Sequence, residues 1–173
     1  EDIWGPYYAA RAQAVVDGTW SSQEIDSYVN TTATNIQTAA TTLLSEGVNL
    51  VISNIADYGF SPIVRQYYTS ATMRERVTSV INQVNQQIDS LAQQQHVTVV
   101  DLAGFAAAVF GTNSQTISSQ QIGGVVITND SGTQATHAFV NDGIHPHTVT
   151  QAALANLFVE GMNHGYGLEL DTF

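Results

Sequence analysis

A chain of 173 residues, 43% of them hydrophobic, is long enough for one domain with its own core. Fifteen acidic residues against four basic ones (Arg11, Arg65, Arg74 and Arg76, with no lysine) give a net charge of −11. That balance excludes nucleic acid and anionic lipid surfaces as partners, because both need clustered cations. The absence of cysteine excludes a disulfide scaffold, a thiolate zinc site and a cysteine nucleophile, and no run of about 18 apolar residues could span a bilayer.

The chain opens on Glu1-Asp2-Ile3-Trp4-Gly5-Pro6, without Met and without a signal peptide. It is therefore expected to be a mature or truncated product. Trp4, Tyr7, Tyr8 and Trp20 are candidates for lining a substrate cleft, with core packing as the competing role. The first clear element is a helix. Ser21 and Glu24 match a capping box, S-x-x-E, and Ile25, Tyr28, Val29, Ile36, Ala40, Leu43 and Leu44 recur at helical spacing until Gly47 stops them. Leu50–Ile55 follows as a strand, and Asp57-Tyr58-Gly59-Phe60-Ser61-Pro62 as a loop.

The plan then repeats. Thr72 and Glu75 suggest a second capping box. Met73, Val77, Val80, Ile81, Val84, Ile88 and Leu91 form one apolar face, and Val97–Leu102 reads as a strand. Alternating helices and strands with short connections predict an α/β domain with a parallel sheet flanked by helices, its strands buried on both faces. With no repeat and no Pro/Gly/Ser-rich linker, residues 1–173 read as a single domain. Ala106–Phe110 suggests a short helix, Gly111–Gln121 a polar loop, and Gly124–Ile127 a short strand or a buried crossing. A last helix is expected after Pro146, with Thr148 and Gln151 as its capping box, and residues 164–173 as a loose tail.

The chemistry concentrates in Val140-Asn141-Asp142-Gly143-Ile144-His145-Pro146-His147. A general-base histidine needs one ring nitrogen free for the nucleophile's proton. Its other N–H needs an acceptor that fixes tautomer and orientation. Asp142 stands three residues before His145, Gly143 permits the turn, and Pro146 stiffens the chain beyond it. Asp-Gly is also an ordinary turn dipeptide, so a plain surface loop is the competing reading. His137, His145 and His147 with Asp142 offer an alternative, a metal-dependent hydrolase site. Ser61, at the C-terminal end of a strand, is a candidate nucleophile or simply shapes the turn before Pro62. Asn30-Thr31-Thr32 and Asn129-Asp130-Ser131 match the glycosylation pattern.

The string D-G-I-H-P at residues 142–146 resembles the last block of the SGNH, or GDSL, esterase and lipase family. Leu50–Pro62 is similar to the strand and loop that many secreted members write N-L-P-D-L-G-x-T-P. The resemblance covers roughly residues 20–163. It implies a flavodoxin-like α/β fold, hydrolysis of a small-molecule or lipid carboxylic ester, no cofactor and no metal. It implies His145 as the base of a Ser-His-Asp triad, Asp142 orienting it, and an extracellular or periplasmic location. The family's G-D-S block, which carries the nucleophile, is absent from these 173 residues, as is a clean copy of G-x-N-D. Gly111-Thr112-Asn113-Ser114 is a displaced echo of the latter, and Glu1-Asp2 is read as its remnant. The expectation is therefore the C-terminal portion of such an enzyme, lacking N-terminal strands. It would associate with an upstream segment or with another copy of itself. A non-catalytic remnant acting as an interaction module is the alternative.

Overall fold

The structure, a computed structural model, describes the backbone of residues 9–173 and the side chains from residue 13 onward. Among these residues are six α-helices, a two-stranded parallel sheet and a separate three-stranded sheet. The α/β class with a parallel sheet flanked by helices is thus the observed one. Trp4, Tyr7 and Tyr8 lie outside the described residues, whereas Trp20 packs against Tyr28 at the edge of the core, ring centroids 5.7 Å apart.

Helix α1 (Ala9–Asp17) precedes α2 (Ser22–Ser45). The α2 capping box forms as its residues dictate: Glu24 N–H donates to the Ser21 hydroxyl (3.3 Å), and Ser21 N–H donates to the Glu24 carboxylate (2.8 Å). After β1 (Val51–Ser53) come one 3-10 turn (Tyr58–Phe60) and the short α3 (Pro62–Tyr67). The long α4 (Ala71–Gln95) begins two residues earlier than its capping pattern requires. Ser70 is the N-cap and makes no side-chain bond, so Thr72 sits inside the first turn and the expected Thr72–Glu75 box does not form. Glu75 instead accepts from Asn113 Nδ2 at 3.0 Å.

Strands β1 and β2 (Thr98–Val100) pair in parallel, with Val51 opposite Thr98, Ile52 opposite Val99 and Ser53 opposite Val100. Ile52 and Val99 face a core built by Val15 and Val16 of α1, Val29 of α2, and Val77, Val80, Ile81, Val84 and Ile88 of α4. The apolar stripe read from the sequence of α4 is this face. The other side of the sheet carries α6 (Thr148–Tyr166), which can lie close because Gly161 and Gly165 have no side chains. A Cβ at 161 would stand 2.8 Å from Val100 Cγ2, and one at 165 would overlap the Thr98 hydroxyl. Both faces are covered, yet of the two strands only Val100 is buried. Each strand of a two-stranded sheet is an edge strand, so the expected full burial is not reached. Both strands are also shorter than expected. Asn54, just past β1, adds one more backbone bond across the pair (its N–H to Val100 O, 3.2 Å), while its side chain donates to Asp101 (2.7 Å) and accepts from the Ala103 N–H (2.7 Å), and so ties β1 to the start of α5 (Leu102–Phe110).

The stretch after α5 differs most from its sequence reading. β3 (Ser119–Ile122) and β4 (Val125–Ser131) form an antiparallel hairpin across Gly123-Gly124, and β5 (His137–Phe139) pairs in parallel with β4 across an irregularity between Thr128 and Ser131. This sheet closes a second core of Ala56, Phe60, Ala106, Val109, Phe110, Ile127, Ala138 and Phe139.

A polar hub joins the loops. Arg74, only 4% exposed, donates from Nε to Asn113 Oδ1 (2.6 Å), from Nη2 to Asn113 O (3.3 Å), and from Nη1 to Tyr68 O. Asp57 accepts from the Gly59 N–H (2.9 Å) and the Thr78 hydroxyl. Its burial pushes the carboxyl pKa up, and the bonds from Thr78 and Gly59 only partly oppose this.

The C-terminal residues are strapped along α6 rather than loose. Asn163 exchanges two hydrogen bonds with the backbone of Leu170 (2.8 Å each), and Asn156 does the same with Phe173 (2.8 and 3.1 Å). No helix among the described residues is long and apolar enough to cross a membrane.

Candidate active site

Residues 140–147 fold back on β5. Val140 N–H donates to His145 O (2.9 Å), His147 N–H to Ala138 O (2.8 Å), and Gly143 N–H to Val140 O (2.9 Å). Gly143 adopts φ +75°, and a Cβ there would press on Ile63 N at 3.2 Å. The position therefore needs glycine for its backbone sign and for its fit against α3.

This turn brings Asp142 and His145 together. Asp142 Oδ1 accepts from the Ile144 N–H (3.0 Å) and the His145 N–H (2.9 Å), while Oδ2 stands 2.6 Å from His145 Nδ1. Partial burial alone would raise the Asp142 pKa. The two backbone N–H groups and the imidazole outweigh it and hold the carboxyl below its ordinary value. An ionised carboxylate only accepts, so Nδ1 carries the proton and donates it. Nε2 is then the basic nitrogen, on a ring that is 65% exposed, and it has no hydrogen-bond partner among the described residues.

A depressed carboxylate pKa has a testable sign. The turn's stabilisation is fully present above the unfolded value of 3.8 and is lost as pH falls through the lower folded value. Amide exchange at Ile144 and His145 is expected to lose protection on acidification below that range. An Asp142→Asn variant should show no such acid transition.

The other histidines are engaged elsewhere. His147 is the N-cap of α6, its Nδ1 accepting from the Thr148 N–H (2.8 Å). Nε2 must then carry the proton, and it points at Thr133 O, 3.3 Å away. This displaces the expected Thr148–Gln151 box: Thr148 is already the first helical residue. His137 bonds Asp130 (2.6 Å), which also accepts from the Thr128 hydroxyl (2.6 Å). Among the described residues no three His, Asp or Glu side chains gather as a metal site would require. The grouping of His137, His145 and His147 is thus not a ligand cluster, because each ring has turned to its own partner.

Ser61 is fully buried, its hydroxyl without a partner, in the segment that packs under Gly143. Asn129 donates its amide to Phe110 O (3.2 Å), so its nitrogen faces inward and is closed to a glycan. Asn30 lies exposed on α2. The described arginines are all committed to backbone oxygens: Arg65 to Asn113 (3.2 Å), Arg74 to Tyr68 and Asn113, and Arg76 to Val16 (2.6 Å). Sequence reasoning did not find this hub, which depends on partners about 40 residues apart.

Residues 17–158 match the family model for GDSL-like lipase/acylhydrolase, which covers most of the chain, including Asp142 and His145. The chain belongs to the GDSL-like lipase/acylhydrolase family. Membership makes it a protein of a general esterase/lipase-type hydrolase family and agrees with the mixed α/β architecture. A purine-binding protein of Brucella abortus is 71% identical over 24 residues, a stretch that spans 14% of this GDSL-family chain and 7% of that protein. No solved structure gives a significant match.

Proposed function

We propose that the chain supplies the base and its orienting carboxylate to a serine-dependent carboxylic ester hydrolase. The observation that carries this reading is the state of His145: Nδ1 bound to an ionised Asp142, Nε2 basic and open to solvent. A serine hydroxyl meeting Nε2 gives up its proton as its oxygen attacks the ester carbonyl. Asp142 stabilises the imidazolium that forms, and Nε2 returns the proton to the departing alkoxide. Water then repeats the sequence on the acyl-enzyme, releasing the carboxylic acid and the serine.

Ser61 is not the attacking serine, because it has no exposed surface from which to attack. Neutral esters are the substrates, since every described arginine is bonded within the fold and offers no anion clamp. The reaction needs no cofactor.

A serine-directed fluorophosphonate tests the reading. The 173-residue chain alone should remain unlabelled and hydrolyse p-nitrophenyl butyrate at close to the background rate. Labelling of Ser61 together with full turnover by a monomer would overturn the assignment of the nucleophile. Turnover abolished by a chelator would overturn the serine mechanism.

A further inference from the structure

The arc Asp142-Gly143-Ile144 carries the carboxylate of the dyad past the end of β5, and the first turn of α3 packs against it. Ile63 N–H donates to Gly143 O (3.4 Å). Gly143 is buried, so closely that a Cβ there would stand 3.3 Å from Ile63 Cβ and 3.5 Å from Pro62 Cβ. Helix α3 has six residues and no side-chain cap at Ser61. Helices shorter than about 12 residues are marginal by themselves, so the place of α3 is set from outside it. Asp57 does this at one end. Its Oδ1 closes the Tyr58–Phe60 turn by accepting from the Gly59 N–H (2.9 Å), and its Oδ2 accepts from the Thr78 hydroxyl of α4. At the other end Arg65 of α3 donates to Asn113 O (3.2 Å). Asp57 is a half-buried carboxylate to which the hydrolysis steps give no role.

We propose that Asp57, held by Thr78, is a positioning residue for the Asp142–His145 pair, acting through the Tyr58–Phe60 turn and the start of α3. The inference rests on the hydrolase reading above. Asp142 holds the imidazole only while Oδ2 stays within hydrogen-bond distance of Nδ1, a separation of 2.6 Å. A displacement of about 1 Å ends that bond. The ring then has no acceptor to keep its proton on Nδ1, and Nε2 is no longer the basic nitrogen. Cut from its anchor on α4, the 58–63 segment yields under Gly143, and the arc gains that freedom.

The tautomer of His145 reads the position of the arc without turnover. Long-range ¹⁵N–¹H spectra of the ¹⁵N-labelled 173-residue chain, at a pH where the ring is neutral, are expected to show His145 as Nδ1–H. Thr78→Val removes the hydroxyl at nearly constant shape and should shift the ring toward the mixture of a free imidazole, in which Nε2–H predominates. Thr78→Ser keeps the hydroxyl and should keep Nδ1–H. Asp57→Ala should repeat the Thr78→Val result, and Thr78→Val carries the test alone should Asp57→Ala fail to fold. Asn163→Ala, which releases one clamp of the C-terminal residues on α6, controls for lost stability and should leave the tautomer unchanged. Nδ1–H retained in the folded Thr78→Val and Asp57→Ala variants, or lost equally in Asn163→Ala, would overturn the proposal. Neither result involves an ester or a serine, so both leave the hydrolase reading intact. That reading fails separately, if His145→Ala leaves hydrolysis unchanged.

Discussion

Replacing His145 by alanine is expected to lower kcat for ester hydrolysis about 10²- to 10⁴-fold in the assembly that contains the attacking serine, the range supplied by a positioned general base. Asp142→Asn keeps the shape of the turn but can hold the ring in the wrong tautomer, and should cost about 10⁴-fold, as loss of the orienting carboxylate does in other triads. His147→Ala is the matched control. Its ring caps α6 and does not touch Asp142, so kcat should be little changed while stability falls by about 1 kcal/mol. Steady-state kinetics on p-nitrophenyl butyrate and thermal melts of the three variants separate these outcomes. Equal losses of kcat from His145→Ala and His147→Ala would count against the dyad.

The largest expected loss of stability is at Asn113. This side chain is 3% exposed, accepts from Arg74 Nε at 2.6 Å and donates to Glu75 at 3.0 Å. Asn113→Ala leaves a buried guanidinium short of an acceptor, and an unsatisfied charged group costs about 3 kcal/mol. Asn113→Asp offers Arg74 a carboxylate but sets it beside Glu75, so it should recover only part of that loss. Urea unfolding, with the midpoint read at unchanged m-value, measures both.

These two predictions differ in how much of their basis was legible beforehand. The Asp142–His145 contact spans three residues and needs only a turn, so its pattern is local and the glycine and proline around it announce the bend. Its catalytic role remains a proposal, because no hydroxyl partner for Nε2 stands among the described residues. The Arg74–Asn113 contact joins residues 39 apart, and nothing in either neighbourhood signals the other. Asn113 had been noticed only as part of a displaced Gly-x-Asn echo.

The same contrast runs through the fold. Helices α2 and α4 are long and strongly periodic; the α4 face is buried from Val77 to Leu91 as its pattern predicts, whereas in α2 only Val29 and Ala40 are buried and Leu43, read as part of the face, is 44% exposed. Of the β3–β5 sheet only the start of β4, within Gly124–Ile127, is legible as a strand, because Ser119–Ile122 is mostly polar and β4 ends in Thr128-Asn129-Asp130-Ser131. Only Ile127, Ala138 and Phe139 of that sheet are buried in the core, with Ile122 packed against it, too few for an alternating pattern to stand out. The caps at Ser70 and His147 escaped notice for a related reason: the S/T-x-x-E/Q pattern recurs by chance one or two residues away, and tertiary partners decide which residue caps.

The two asparagine clamps on α6 have a practical reach. From Asn156 to Asn163 is seven helical residues, about 10.5 Å of axial rise. From Leu170 to Phe173 is three residues of extended chain, about 10 Å. The two rulers agree, so the C-terminal segment runs antiparallel to the helix in one fixed register, and inserting a single residue between the clamps would unseat one of them. Residue 173 is thereby delivered back toward the start of α6, about 12 Å along the axis from Thr148. An affinity tag joined after Phe173 would therefore start from a point held against Asn156 of α6 rather than from a free end.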